Sequence, residues 1–192
     1  VSGAQGSRAI FSRRSFVKGA AGGALALHFG AYGLLSPRQA RARGVPIESL
    51  TPGEVEILET YGETLAPGAA EAGLAHYIGS QLAVPPADSL LFLRLLDIAP
   101  PYADFYRPGL AALDELAQAR HGRRFPALAE AQRLALAREI AGANPPGWTG
   151  PPAPLFAFAL RADAIDVVWG TAEGFERLGV PYLPHIHPEA PW

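Results

Sequence analysis

Nineteen prolines in 192 residues set the length of nearly every regular element this chain can form. A proline has no N–H to donate and displaces the carbonyl four residues back, so helices stop or restart around it. Pro85-Pro86, Pro100-Pro101 and five prolines between Asn144 and Pro154 cut the chain into short pieces. Within the pieces apolar residues recur at helical spacing. Thr51-Pro52-Gly53-Glu54 reads as a capping box that opens the first helix, with Val55, Leu58, Tyr61 or Gly62, and Leu65 on one face. A second helix is expected from about Ala70 to Ala83, and a third from Asp88 or Ser89 to Ile98. A fourth should run from Tyr102 to Arg120, kinked or split by Pro108 and closed by His121-Gly122. A fifth covers about Leu128 to Ala141, a sixth Leu155 to Trp169, and a short turn Glu173 to Leu178. No run alternates strictly enough for a strand. The expected fold is all-α: a single-domain helical bundle with an extended, proline-rich C-terminal strap from Pro181 to Trp192.

The first 43 residues read differently from the rest. Arg8, Arg13, Arg14 and Lys18 form a basic head without an acidic residue. An uncharged stretch from Gly19 to Leu35 follows, then a polar end with Ala40-Arg41-Ala42. This is the charged, apolar, small-residue order of an export signal. Ser12, Arg13, Arg14, Phe16 and Lys18 match the twin-arginine motif, the address of the translocase (Tat) that carries folded cargo. The 17 apolar residues are too few for a membrane span, which needs about 20, and they include His28 and five glycines. The expectation is a signal segment at 1–43, cleaved or retained, with the bond after Ala42 as the candidate cleavage point although arginine stands inside the triplet, a domain at 44–192, and a periplasmic location.

Setting that segment aside changes the charge. It holds seven of the sixteen basic residues and none of the eighteen acidic ones, so 44–192 carries a formal charge of −9. Such a body is unsuited to nucleic acid or an anionic membrane, both of which require a basic patch. With no cysteine in the chain, thiolate-bound clusters, covalent haem and cysteine zinc sites are excluded, and so are disulfides.

Candidate chemistry is sparse. His185 and His187 alternate in an extended segment and could begin a metal site, although His76 and His121 are distant in sequence. This supports the alternative of a stand-alone periplasmic metal-dependent enzyme using His185 and His187, with Asp163 as a third candidate. Surface or packing roles are the better account of these histidines. Asp163 and Asp166 could face one cleft, but pairing of Asp163 with Arg161 and Arg177 is the expectation. Glu54, Glu56, Glu59 and Glu63 should form a solvated helix face. No catalytic, cofactor-binding or metal residues are assigned.

The sixth helix is apolar nearly all round, which fits either the centre of the bundle or contact with another chain. With the strap it supplies the candidate partner interface: Phe156, Phe158, Trp169, Tyr182, Leu183, Ile186 and Trp192. A cofactor-free chain using a route reserved for folded cargo suggests that the cofactor sits in a partner.

The order of several short motifs resembles one family. They are the twin-arginine leader, Leu50-Thr51-Pro52, Glu63 to Ala69, Phe105 to Leu110, Arg161-Ala162-Asp163, Trp169-Gly170-Thr171, and the ending from Pro181-Tyr182 to Pro191-Trp192. Together they resemble the gluconate 2-dehydrogenase subunit 3 family, the small subunits of membrane-associated FAD-dependent sugar and alcohol dehydrogenases. The resemblance implies a non-catalytic accessory subunit. Its role would be maturation, stability and Tat export of a large flavoprotein of the glucose–methanol–choline type. It implies FAD in that subunit, where an iron–sulfur cluster can accompany it. It also implies haem c in a multihaem cytochrome c subunit, and a complex peripheral to the inner membrane.

Overall fold

A computed structural model describes residues 25–180. The N-terminal motif Ser12 to Lys18 and the strap 181–192 lie outside the described residues. Eight α-helices make up the described chain: α1 Pro37–Ala42, α2 Pro52–Leu65, α3 Ala69–Ala72, α4 Leu74–Ala83, α5 Ala103–His121, α6 Glu130–Gly142, α7 Ala153–Trp169 and α8 Ala172–Arg177. The all-α expectation holds for them, apart from a two-residue antiparallel pair, β1 Leu27–His28 with β2 Leu34–Leu35.

Local chemistry explains most boundaries. Thr51 caps α2, accepting from the Glu54 N–H while the Glu54 carboxylate accepts from the Thr51 N–H at 2.7 Å. Gly122, at φ 67°, ends α5 in the left-handed region. Three expectations need correction. The second helix is two, because Gly73 adopts φ 87° and separates α3 from α4. The third is not an α-helix. Pro86–Asp88 and Phe92–Leu96 are 3-10 turns, and two N–H groups of the segment are taken by side chains: Leu90 by Gln81 Oε1 at 2.7 Å and Phe92 by Asp163 Oδ1 at 2.9 Å. Such side-chain captures, made here from other elements, compete with the helical ladder. Pro108 does not split α5, which runs on through it from Ala103 to His121. It sits on the solvent side, and so does Asp104, whose carbonyl loses its partner. A carbonyl on that side is open to solvent, which lowers the cost of the lost bond.

At the centre lies α7. It touches α2 through α6, α8 and the turn Phe92–Leu96. Phe156 is fully buried there, stacked on Tyr61 at 5.8 Å and flanked by Phe105 and Trp148. Gly109 of α5 makes this possible, since a Cβ at that position would collide with the Phe156 ring.

Residues 25–43 are packed on this body. Leu27 joins the main core, while Leu35, Ala40 and Val45 form a small satellite. The triplet Ala40-Arg41-Ala42 lies within α1, and Ala40 is fully buried. The boundary expected at Gly44 therefore falls after a segment that packs with the bundle.

Candidate partner interface

The sixth helix expected from sequence is α7, and its two faces have separate fates. Phe156 faces inward, so it belongs to the core. Phe158, two residues on, is 53% exposed, and Ile165 is 38% exposed. Phe158, Ala162, Ile165 and the half-buried Trp169 recur every three or four residues, forming one stripe along the outer side of the central helix. The Arg177 guanidinium stands 6.0 Å from the Trp169 ring centre at one end.

The 3-10 turn extends this stripe. The Phe92 ring meets Phe158 edge-on at 5.4 Å. In a 3-10 helix residues three apart eclipse, so Leu95 lies beside Phe92. Leu95 is 74% exposed. An α-helical reading of Asp88 to Ile98 hides this feature. The signal for it was the run Leu90 to Leu96, too apolar to be buried on every side by so small a domain. Of the interface residues named from sequence, Phe158 and Trp169 reach this surface, while Tyr182, Leu183, Ile186 and Trp192 lie outside the described residues.

Asp163 holds the turn against α7. Its carboxylate accepts from the Phe92 N–H and from the Tyr106 hydroxyl. It is fully buried and not paired with Arg161, as had been expected, and it shares no cleft with the exposed Asp166. Burial pushes the Asp163 pKa up to about 7, against the two hydrogen bonds, which lower it. Folding therefore binds a proton here above the ordinary carboxylate range. Asp163's contribution is fully present at low pH and is lost as pH rises from that range to about 7. His76 runs the opposite way, because burial lowers its pKa and acid must charge it. Comparing variants separates the two. Urea midpoints at about pH 5 and about pH 8 should fall for the wild type relative to Asp163→Asn, whose amide does not ionise in that interval. Parallel pH profiles would contradict this role.

The other candidates have structural partners. Nε2 of His76 contacts the Val45 carbonyl at 3.0 Å, and His121 contacts Gln132 at 3.4 Å, so the two histidines stand apart. His185 and His187 lie outside the described residues. Among the described residues no group of three or more His, Asp or Glu could hold a metal ion, and no helix is long and apolar enough to cross a membrane. The glutamate face of α2 is tied down rather than simply solvated. Glu56 pairs with Arg124 at 2.6 Å and Glu59 with Arg41 at 3.3 Å, while Glu63 accepts from the N–H groups of Gly68 and Ala70.

A small helical domain that gives its polar groups to its own scaffold and leaves an apolar stripe on its central helix has the surface of a subunit. Residues 52–186 match the family model described as gluconate 2-dehydrogenase subunit 3, and the chain belongs to that family. No curated protein and no solved structure matches it. Membership makes the chain a non-catalytic accessory subunit of an oxidoreductase complex, and the family context implies a large dehydrogenase subunit as its partner.

Proposed function

We propose that this subunit matures, stabilises and exports its catalytic partner, carrying it through the twin-arginine translocase to the periplasm. The family match over 52–186 carries the reading, and the motif Ser12-Arg13-Arg14-Ser15-Phe16-Val17-Lys18 supplies the address. The partner is a flavoprotein of the glucose–methanol–choline type that holds FAD, with or without an iron–sulfur cluster. A multihaem cytochrome c subunit accepts its electrons, and the complex sits at the periplasmic side of the inner membrane. Selecting the sugar or alcohol is the catalytic subunit's task.

Docking uses Phe158 and Trp169 of α7, extended by Tyr182, Leu183, Ile186 and Trp192 of the C-terminal segment. The supporting observation is the uncovered stripe on a helix otherwise enclosed by its neighbours. Exposed aromatic residues of this kind dominate binding energy when a partner desolvates them. Phe158→Asp should raise the Kd for the flavoprotein at least about tenfold, a loss of about 1.4 kcal/mol. The Tm of the isolated subunit should change little, because the ring is half in solvent. An unchanged Kd would remove Phe158 from the interface.

A further inference from the structure

The chain from Leu25 to Ser49 is built into the folded body. Leu27, Leu35, Ala40 and Val45 are buried. Ser36 and Gln39 form a capping box that starts α1. Arg38 pairs with Glu71 and Arg41 with Glu59, each carboxylate coming from the bundle. Further along, His76 contacts the Val45 carbonyl and the Ser49 hydroxyl donates to the Gly79 carbonyl at 2.7 Å. The bundle is shaped to receive this layer. Gly73 lies against the backbone of Pro37 and Arg38, and any Cβ there would collide with the Pro37 carbonyl. The family match begins at Pro52, so the docked layer lies outside it.

This placement bears on how the export address is processed. A peptidase takes its substrate as an unfolded, accessible strand, so a bond inside packed structure is cut only through local opening. Ala40-Arg41-Ala42, the small-residue triplet that marks the candidate cleavage point, is helical, and Ala40 is fully buried. Cargo of the twin-arginine route folds before it crosses, so the triplet is already packed when the peptidase meets it. We infer that the chain is not cleaved at Ala42, and that Leu25 to Arg43 remains in the exported protein as a permanent layer of the subunit. The inference rests on the export reading, but the packing behind it does not.

Two measurements on the full chain test it. In the first, the protein recovered from the periplasm of co-expressing cells is digested and mapped by mass spectrometry. Peptides covering Leu27 to Arg38 are expected, and a chain starting at Arg43 would overturn the inference. A chain found only in the cytoplasm would refute the export reading instead. The second measurement then decides. Trypsin acting on the purified, folded full chain has an internal standard in Arg123, which is exposed in the turn after α5. Cutting after Arg38 and Arg41 should be at least about tenfold slower than after Arg123, since access requires the layer to open. In Ala40→Asp, which places a charge in the satellite core, that gap should close while the Arg123 rate is unchanged. Equal rates at all three arginines in the wild type would overturn the inference wherever the protein is found.

Discussion

Replacing Arg13 and Arg14 together by lysine should leave both this subunit and its partner's dehydrogenase activity in the cytoplasm. The charge of the leader is unchanged by the double substitution, so a general electrostatic role would survive it. What is lost is the pair of planar guanidinium groups, which present several fixed donors where lysine presents a point charge. The expected pattern in fractionated cells is periplasmic activity at background, with normal flavin loading in the cytoplasmic fraction. The second clause matters as much as the first. It separates failure of transport from failure of maturation, because the helical body is untouched. Normal periplasmic activity in the double variant would mean that the catalytic subunit travels by its own signal.

Phe156→Ala should be the most damaging single truncation in the body. Its ring is fully buried, stacked on Tyr61 and lying against Gly109. Because Gly109 has no side chain with which to fill the space, the cavity cannot collapse readily. Losses of about 3–5 kcal/mol are usual for such changes. For a domain of this size, that corresponds to a Tm lowered by about 6–20 °C. Phe158→Ala, two residues along the same helix, should shift the Tm by only a few degrees. Thermal unfolding of the two variants side by side checks the division of α7 into a core face and a contact face. Equal losses would mean that the stripe is structural.

That division was only half legible in the sequence. The apolar periodicity identified α7 as special, but a helix apolar all round does not reveal which residues its neighbours cover. Phe156 and Phe158 look alike in sequence. Gly109 and Tyr61, which differentiate them, are 47 and 95 residues away. Capping chemistry was legible because it is local: Thr51 to Glu54 and His121-Gly122 mark helix ends through groups within one turn. The segment from Asp88 to Ile98 was not legible, since its backbone donors are satisfied by Gln81 and Asp163 from other elements. Asp163 stood out in the sequence as one of two carboxylates three residues apart on one helix. Its partners, the Tyr106 hydroxyl and a backbone N–H, could not be foreseen, and the nearby arginines pointed the wrong way. The packed layer from Leu25 to Arg43 was hidden for a different reason. Its composition fits an export signal, and composition says nothing about what a segment does after the body has folded.

The division of labour that follows is coherent in physical terms. The acidic, cysteine-free body has, among its described residues, no group of three or more His, Asp or Glu that could hold a metal ion, and it is joined directly to a basic leader. A single uncovered apolar stripe on its central helix offers a place for another chain. Purifying this subunit through a tag, from the periplasm of cells that also express the flavin dehydrogenase, tests the central claim most directly. The account predicts a larger chain in stoichiometric amount, with flavin absorbance and dehydrogenase activity in the same fraction. A lone subunit without flavin, or one carrying a stoichiometric metal and an activity of its own, would contradict it.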